Sequence, residues 1–213
     1  MVRSVVAMGL CLFVGLPGSA HASVSYAVDT DRLLTRAELV IRATPLDDYC
    51  TWEGTRIVTY TKLHVDERIA GETKESDIWV RSLGGEVEHL AQWVDGEPVF
   101  TIGQPTLMFL GKDTSGAYVS VARAQGQMPM RFDETKKTWV TRKNPYVGVL
   151  VPRKAEAAPP SASTAGKAAT PTTKTAVKPM VTVLRPAVEE LAERPLDELR
   201  TELRSRWTKV HRP

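Results

Sequence analysis

The chain has 213 residues, 42% hydrophobic and 25% charged, with 14 Gly, 14 Pro and 2 Cys. Its mean hydropathy of -0.20, with no apolar run of about 18 residues, excludes a polytopic membrane protein, and no membrane span is expected. Formal net charge is +3, yet residues 23–152 hold 15 Lys/Arg against 18 Asp/Glu, while 153–213 hold 12 against 7. A nucleic-acid reader carries its basic stripe on the folded domain beside stacking aromatics, so no nucleic-acid partner is expected.

Residues 1–22 read as a signal peptide. Arg3 gives the positive end, Val5 to Leu16 the apolar stretch, Pro17-Gly18 a break, and Ala20-His21-Ala22 the small-residue site before Ser23. The apolar stretch is too short to span a bilayer. Leu10 ahead of Cys11 does not fit lipidation, which needs a small residue there. An exported protein, periplasmic or extracellular, is expected. Cleavage removes Cys11 and leaves Cys50 alone, so no intramolecular disulfide can form. Such a thiol is buried, paired with another chain, or reactive. Reactivity wants positive neighbours, whereas Asp47, Asp48 and Glu53 surround it in sequence.

Asp29 to Ala37 reads as a short helix capped by Asp29 or Thr30, with Leu33-Leu34 facing the core. Strand patterns follow from 38 to 143. Glu38 to Thr44 is the first. In Arg56 to Ile69, Ile57, Thr59, Thr61, Leu63 and Val65 fall on one face. Asp77 to Ser82 and Glu86 to Val94 flank Gly84-Gly85, a dipeptide suited to a tight hairpin. Asp95-Gly96 marks a turn and Pro98 to Thr101 a short edge strand. Pro105 to Leu110 is continuously apolar, as in a central strand buried on both faces. Asp113 to Gly116 turns into Ala117 to Arg123, and Gln127 to Phe132 and Thr138 to Arg142 close the set. About nine short strands predict a small antiparallel barrel or a sandwich.

Residues 153–180 contain 19 Ala, Pro, Ser or Thr in 28 positions, with five Lys/Arg, and read as a disordered basic linker suited to anionic surfaces. A helical tail occupies 181–213, where Pro186 and Pro195 suit helix starts. Leu196, Leu199, Leu203 and Trp207 form one apolar stripe. That stripe serves either as a core helix or as a face that docks onto a partner.

Catalytic patterns are scarce. His64, His89 and His211 form no HxH, HExxH or Cys/His cluster, so no metal site is expected and no cofactor is implied. There is no G-x-S-x-G and no Gly-rich phosphate loop. Cys50 with His64 or His89 is the one imaginable dyad, which leaves a hydrolase or thiol-dependent enzyme as an alternative. The carboxylate pairs Asp47-Asp48, Asp66-Glu67 and Asp133-Glu134 read as solvated charges at turns or strand ends. Trp52, Trp79, Trp93 and Trp139 are core or, where two are exposed together, a ligand platform or protein hot spot.

Several spaced elements carry a resemblance over about residues 33–132. They are Ala37-Glu38-Leu39-Val40-Ile41, the Trp52 region with Ile57 and Thr59, Ile69-Ala70-Gly71, and Leu83-Gly84-Gly85. Gly96-Glu97-Pro98-Val99-Phe100 with Gly103, Leu107-Met108-Phe109-Leu110, and Tyr118 with Gln125-Gly126 follow. In this order they resemble a widespread group of uncharacterised exported bacterial proteins. The outline is also similar to the OB-like barrel of netrin/metalloproteinase-inhibitor modules. The resemblance implies a fold of that kind and transfers no catalytic residue. The chain lacks the amino-terminal disulfide-tied Cys that such inhibitors insert into a metal site. The expected function is non-enzymatic binding of a protein or polysaccharide ligand in the bacterial envelope or outside the cell. Partner docking through the tail is a further alternative.

Overall fold

The computed structural model describes residues 24–151 and 185–212. The expected signal peptide, linker and first residues of the tail lie outside the described residues. In chain order the strands are β1 (Val24–Tyr26), β2 (Leu39–Glu53), β3 (Arg56–Gly71), β4 (Asp77–Leu83), β5 (Gly85–Val87) and β6 (Leu90–Gln92). Then come β7 (Thr106–Lys112), β8 (Tyr118–Ser120), β9 (Gln127–Asp133), β10 (Thr138–Thr141) and β11 (Val149–Val151). The helices are α1 (Thr30–Arg36), α2 (Ala187–Glu190) and α3 (Leu196–Val210). The chain is mainly β, with a C-terminal helix.

Five strands form a ring. β7, β2, β3 and β4 pair antiparallel in that order. β8 closes the circuit, parallel to β4 at Val80–Tyr118 and antiparallel to β7. β9 and β10 extend outward from the other half of the β7 edge. The expected burial of β7 on both faces is met, and side-chain alternation explains it. Met108 and Leu110 join Leu39, Ile41, Leu63, Ile78 and Val80 inside the ring. Leu107 and Phe109 face outward, where Val40 and Ile69 make a second apolar layer.

An apolar outer layer must be covered. α1 contributes Leu33 and Leu34, its amino terminus capped by the Asp29 carboxylate accepting from the Arg32 N–H at 2.9 Å. α3 contributes Leu196, Leu199 and Leu203, all buried in the same cluster, with Trp207 half-buried against it. The stripe that could have docked onto a partner is therefore spent within the chain. Arginines on the flank of α3 fasten it. Arg200 pairs with Glu67 on β3, and Arg204 Nε donates to the Ile69 carbonyl at 2.9 Å. Arg206 reaches Glu190, which also accepts from Thr30 Oγ1 on α1 at 2.6 Å.

Several boundaries differ from expectation. Glu86 to Val94 is not one strand but enters the β5–β6 hairpin, which turns at Glu88-His89. The strand expected over Ala117 to Arg123 is confined to β8. β2 does not end at Thr44 but runs to Glu53, with register shifts between Val40/Ile41, Arg42/Ala43 and Pro45/Asp47. β7 pairs with β2 only as far as Ala43, so beyond that point β2 is an edge. Pro45 and the charged Asp47-Asp48 fit there, since an edge needs no outward N–H and tolerates bulges. Gly84-Gly85 does not make a two-residue hairpin. Both have positive φ, and a Cβ on Gly85 would lie 2.6 Å from Cys50 Sγ. Glycine serves close approach there, as the small β5–β6 hairpin folds against β2 and β3.

Pro98 to Thr101 is not a strand. The Gln127 side chain takes the place of a neighbouring strand, accepting from the Val99 N–H at 3.2 Å and donating to the Val99 carbonyl at 2.8 Å. Gln125 does the same for the first segment, accepting from the Val28 N–H and donating to the Tyr26 carbonyl.

Candidate functional site

The long β2–β3 hairpin turns at Gly54, whose φ of +60° suits glycine. Its register sets Tyr49 opposite Tyr60, and the next pairing sets Lys62 opposite Trp79 on β4. The three rings meet on the outer face of the ring of strands. Tyr49 and Tyr60 stack with centroids 5.3 Å apart, and Trp79 approaches Tyr49 edge-on, also at 5.3 Å. Tyr49 is 50% and Trp79 41% exposed, although the cluster sits on ordered β-sheet.

Charged pairs frame the rings. Tyr60 donates its hydroxyl to Glu53 at 2.6 Å, and Arg81 Nε donates to the same carboxylate at 3.0 Å. The Arg81 hydrogen bond, then that of Tyr60, holds the Glu53 carboxyl below its ordinary value. The same contact raises the Tyr60 phenol. On the other side Asp77 accepts from His64 and from Lys62, and both contacts lower its pKa, His64 first. The patch thus combines aromatic faces, an Arg and carboxylates on three paired strands.

The other tryptophans do not join it. Trp52 pairs with Ile57 near the hairpin tip, on the opposite face of β2 from Tyr49. Trp93 is 68% exposed and donates Nε1 to Asp95 at 2.8 Å. Trp139 is half-buried against Phe132, with the Arg42 guanidinium 5.7 Å from its ring centre. Trp207 stacks on His211. Sequence reasoning found Trp79 and missed Tyr49 and Tyr60. Taking Glu53-Gly54-Thr55-Arg56 as the turn would have supplied the register and set the two tyrosines opposite one another.

Cys50 faces the other way, with Thr59, whose hydroxyl lies 3.3 Å from Sγ and donates to the Gly84 carbonyl. His64 lies on the opposite face of β3 and engages Asp77, and His89 stands in the exposed turn between β5 and β6. No hydrogen bond links Cys50 to a histidine among the described residues. Among them, too, there is no group of three or more His, Cys, Asp or Glu placed to hold a metal. No helix among the described residues is long and apolar enough to cross a membrane. No family model, curated protein or solved structure matches this chain.

Proposed function

We propose that the protein is an exported, non-enzymatic binding protein of the bacterial envelope or extracellular space, and that Tyr49, Tyr60 and Trp79 contact its ligand. The cluster carries this reading: Tyr49 packs on both Tyr60 and Trp79, and Tyr49 and Trp79 face solvent while Tyr60 is half-buried. Tyr, Trp and Arg supply large, rigid contact area and dominate protein recognition sites. The edge-on Trp79 and the flanking ion pairs favour a protein ligand over a polysaccharide, which prefers flat, coplanar platforms. Export is supported by the pattern of residues 1–22, and kinship with the exported group by the ordered motifs over about 33–132.

An OB-like barrel suits the strand order β2-β3-β4-β8-β7 with β4 and β8 parallel. In such barrels the face of the second and third strands binds oligonucleotides and oligosaccharides. Here those strands are β3 and β4, which carry Tyr60, Trp79 and Arg81, so the likeness supports the face and not the class of ligand. That support is fold-level analogy.

The test is capture by cross-linking in the native envelope, comparing the tagged protein with a Y49A/W79A variant of equal melting temperature. One defined species, captured by the wild type and lost in the variant, is the expected result. Equal capture by both would move binding off this face.

A further inference from the structure

A cavity of about 430 Å³ opens on the face of the β2–β3 hairpin opposite the aromatic cluster. Its floor is polar. Thr61 and Ser82, 1% and 6% exposed, line it, and neither hydroxyl makes a hydrogen bond among the described residues. Its walls are apolar: Trp93, Val94, Pro98, Val99 and Phe100. Every charged side chain lining it is acidic, namely Asp48, Glu86 and Glu97. Glu97 is paired with Arg123, but the exposed Asp48 and Glu86 have no ion pair among the described residues.

These features sort ligands by charge. An anion would meet two uncompensated carboxylates at the rim. A neutral apolar molecule would leave the Thr61 and Ser82 hydroxyls desolvated without partners, which disfavours it. An ammonium group satisfies both ends. Its N–H groups donate to hydroxyl and carboxylate oxygens, and an apolar body packs on Trp93 and Phe100.

We propose that this cavity binds a small organic amine, an ammonium group carried on an apolar or aromatic body. The site is separate from the Tyr49–Tyr60–Trp79 face, so each reading stands or falls alone. Two sources share this chemistry: a free amine and a lysine side chain presented by another polypeptide.

The experiment is calorimetric titration of the purified protein with phenethylamine, phenethyl alcohol and phenylacetate. Saturable binding of the amine, at least about tenfold tighter than the alcohol, with phenylacetate weakest, is expected. Raising salt should weaken the amine and leave the alcohol unchanged. A D48N/E86Q variant, altered at exposed positions, should bring the amine to the alcohol's level. Equal binding of the three probes, no binding of the amine at millimolar concentration, or an unchanged affinity in the variant would overturn the proposal. Titration with Nα-acetyl-lysine methylamide then separates the sources: tighter binding than phenethylamine assigns a presented lysine, weaker binding a free amine.

Discussion

Tyr49 on β2 stacks on Tyr60 directly across the hairpin, with ring centroids 5.3 Å apart and planes inclined by 17°. A stacked cross-strand pair contributes stability of its own. Here it also shapes a surface, because the Tyr60 hydroxyl is held by Glu53 at the far end of β2 and Glu53 by Arg81 on β4. Three strands are thereby tied beneath rings that face solvent.

Glu53 makes this tie depend on pH. Its carboxyl is lowered by Arg81 first and Tyr60 second. A depressed folded pKa means stabilisation that is complete above the unfolded value of about 4.3 and lost as pH falls through the folded value. The melting-temperature gap between wild type and E53Q should therefore be present at neutral pH and close under acid, below about pH 4. Both partners are partly solvent-exposed, so screening keeps the effect to about 1 kcal/mol or less. A gap that persists at full protonation would assign the loss to packing instead.

The tail yields a larger effect. Leu199 is fully buried among Leu33, Leu34, Phe109 and their neighbours. L199A should cost about 2–5 kcal/mol, through lost burial and the cavity it leaves. Urea unfolding followed by far-UV and tryptophan signals should show one coincident transition, shifted as a whole. A separate early transition for the helix, leaving the sheet's midpoint unchanged, would mean that α3 is a detachable appendage.

A capping residue ahead of Leu33-Leu34 made α1 legible, an unbroken apolar run made β7 so, and regular spacing revealed the α3 stripe. Trp79 was legible from alternation: Ile78 and Val80 point inward and force it outward. The distal half of β2 was not. Leu46 to Glu53 follows a bulge at Pro45, pairs along one edge only, and has its apolar residues interrupted by Asp47-Asp48 without regular alternation, so its pattern reads as a loop. Losing that strand hid the partner of Tyr60 and with it the candidate site. The fate of the α3 stripe was equally hidden, since an apolar helix face looks the same whether its cover is the chain's own sheet or another protein.

Gly85 tests the approach of β5–β6 to the ring. With φ at +131°, a Cβ there would lie 2.5 Å from Thr59 Oγ1 and 2.6 Å from Cys50 Sγ. G85A should destabilise by about 1–3 kcal/mol, from backbone strain and overpacking. The β5–β6 hairpin must move away, exposing the thiol behind it. Cys50 should then react faster with a thiol reagent than in the wild type. An unchanged rate together with unchanged stability would show that the contact is dispensable.

Gln127 holds the 98–101 segment in place, because its buried amide substitutes for a strand that the segment lacks. Its Nε2 donates to the Val99 carbonyl at 2.8 Å, while its Oε1 accepts from the Val99 N–H and from Asn144 Nδ2. Q127M preserves volume but leaves those groups unpaired, a cost of about 1–3 kcal/mol for a buried polar group. Q127E keeps the acceptor and replaces the donor with a carboxylate oxygen facing the Val99 carbonyl, so it should be worse than Q127M at neutral pH. Acid should narrow the difference, since a protonated carboxyl regains one donor. Amide exchange at Val99 reads the local consequence: both variants should lose protection there ahead of the β7 amides, because the ladder holding β7 does not pass through Gln127's side chain. Equal loss at Val99 and throughout β7 would mean instead that the segment opens only when the whole sheet does.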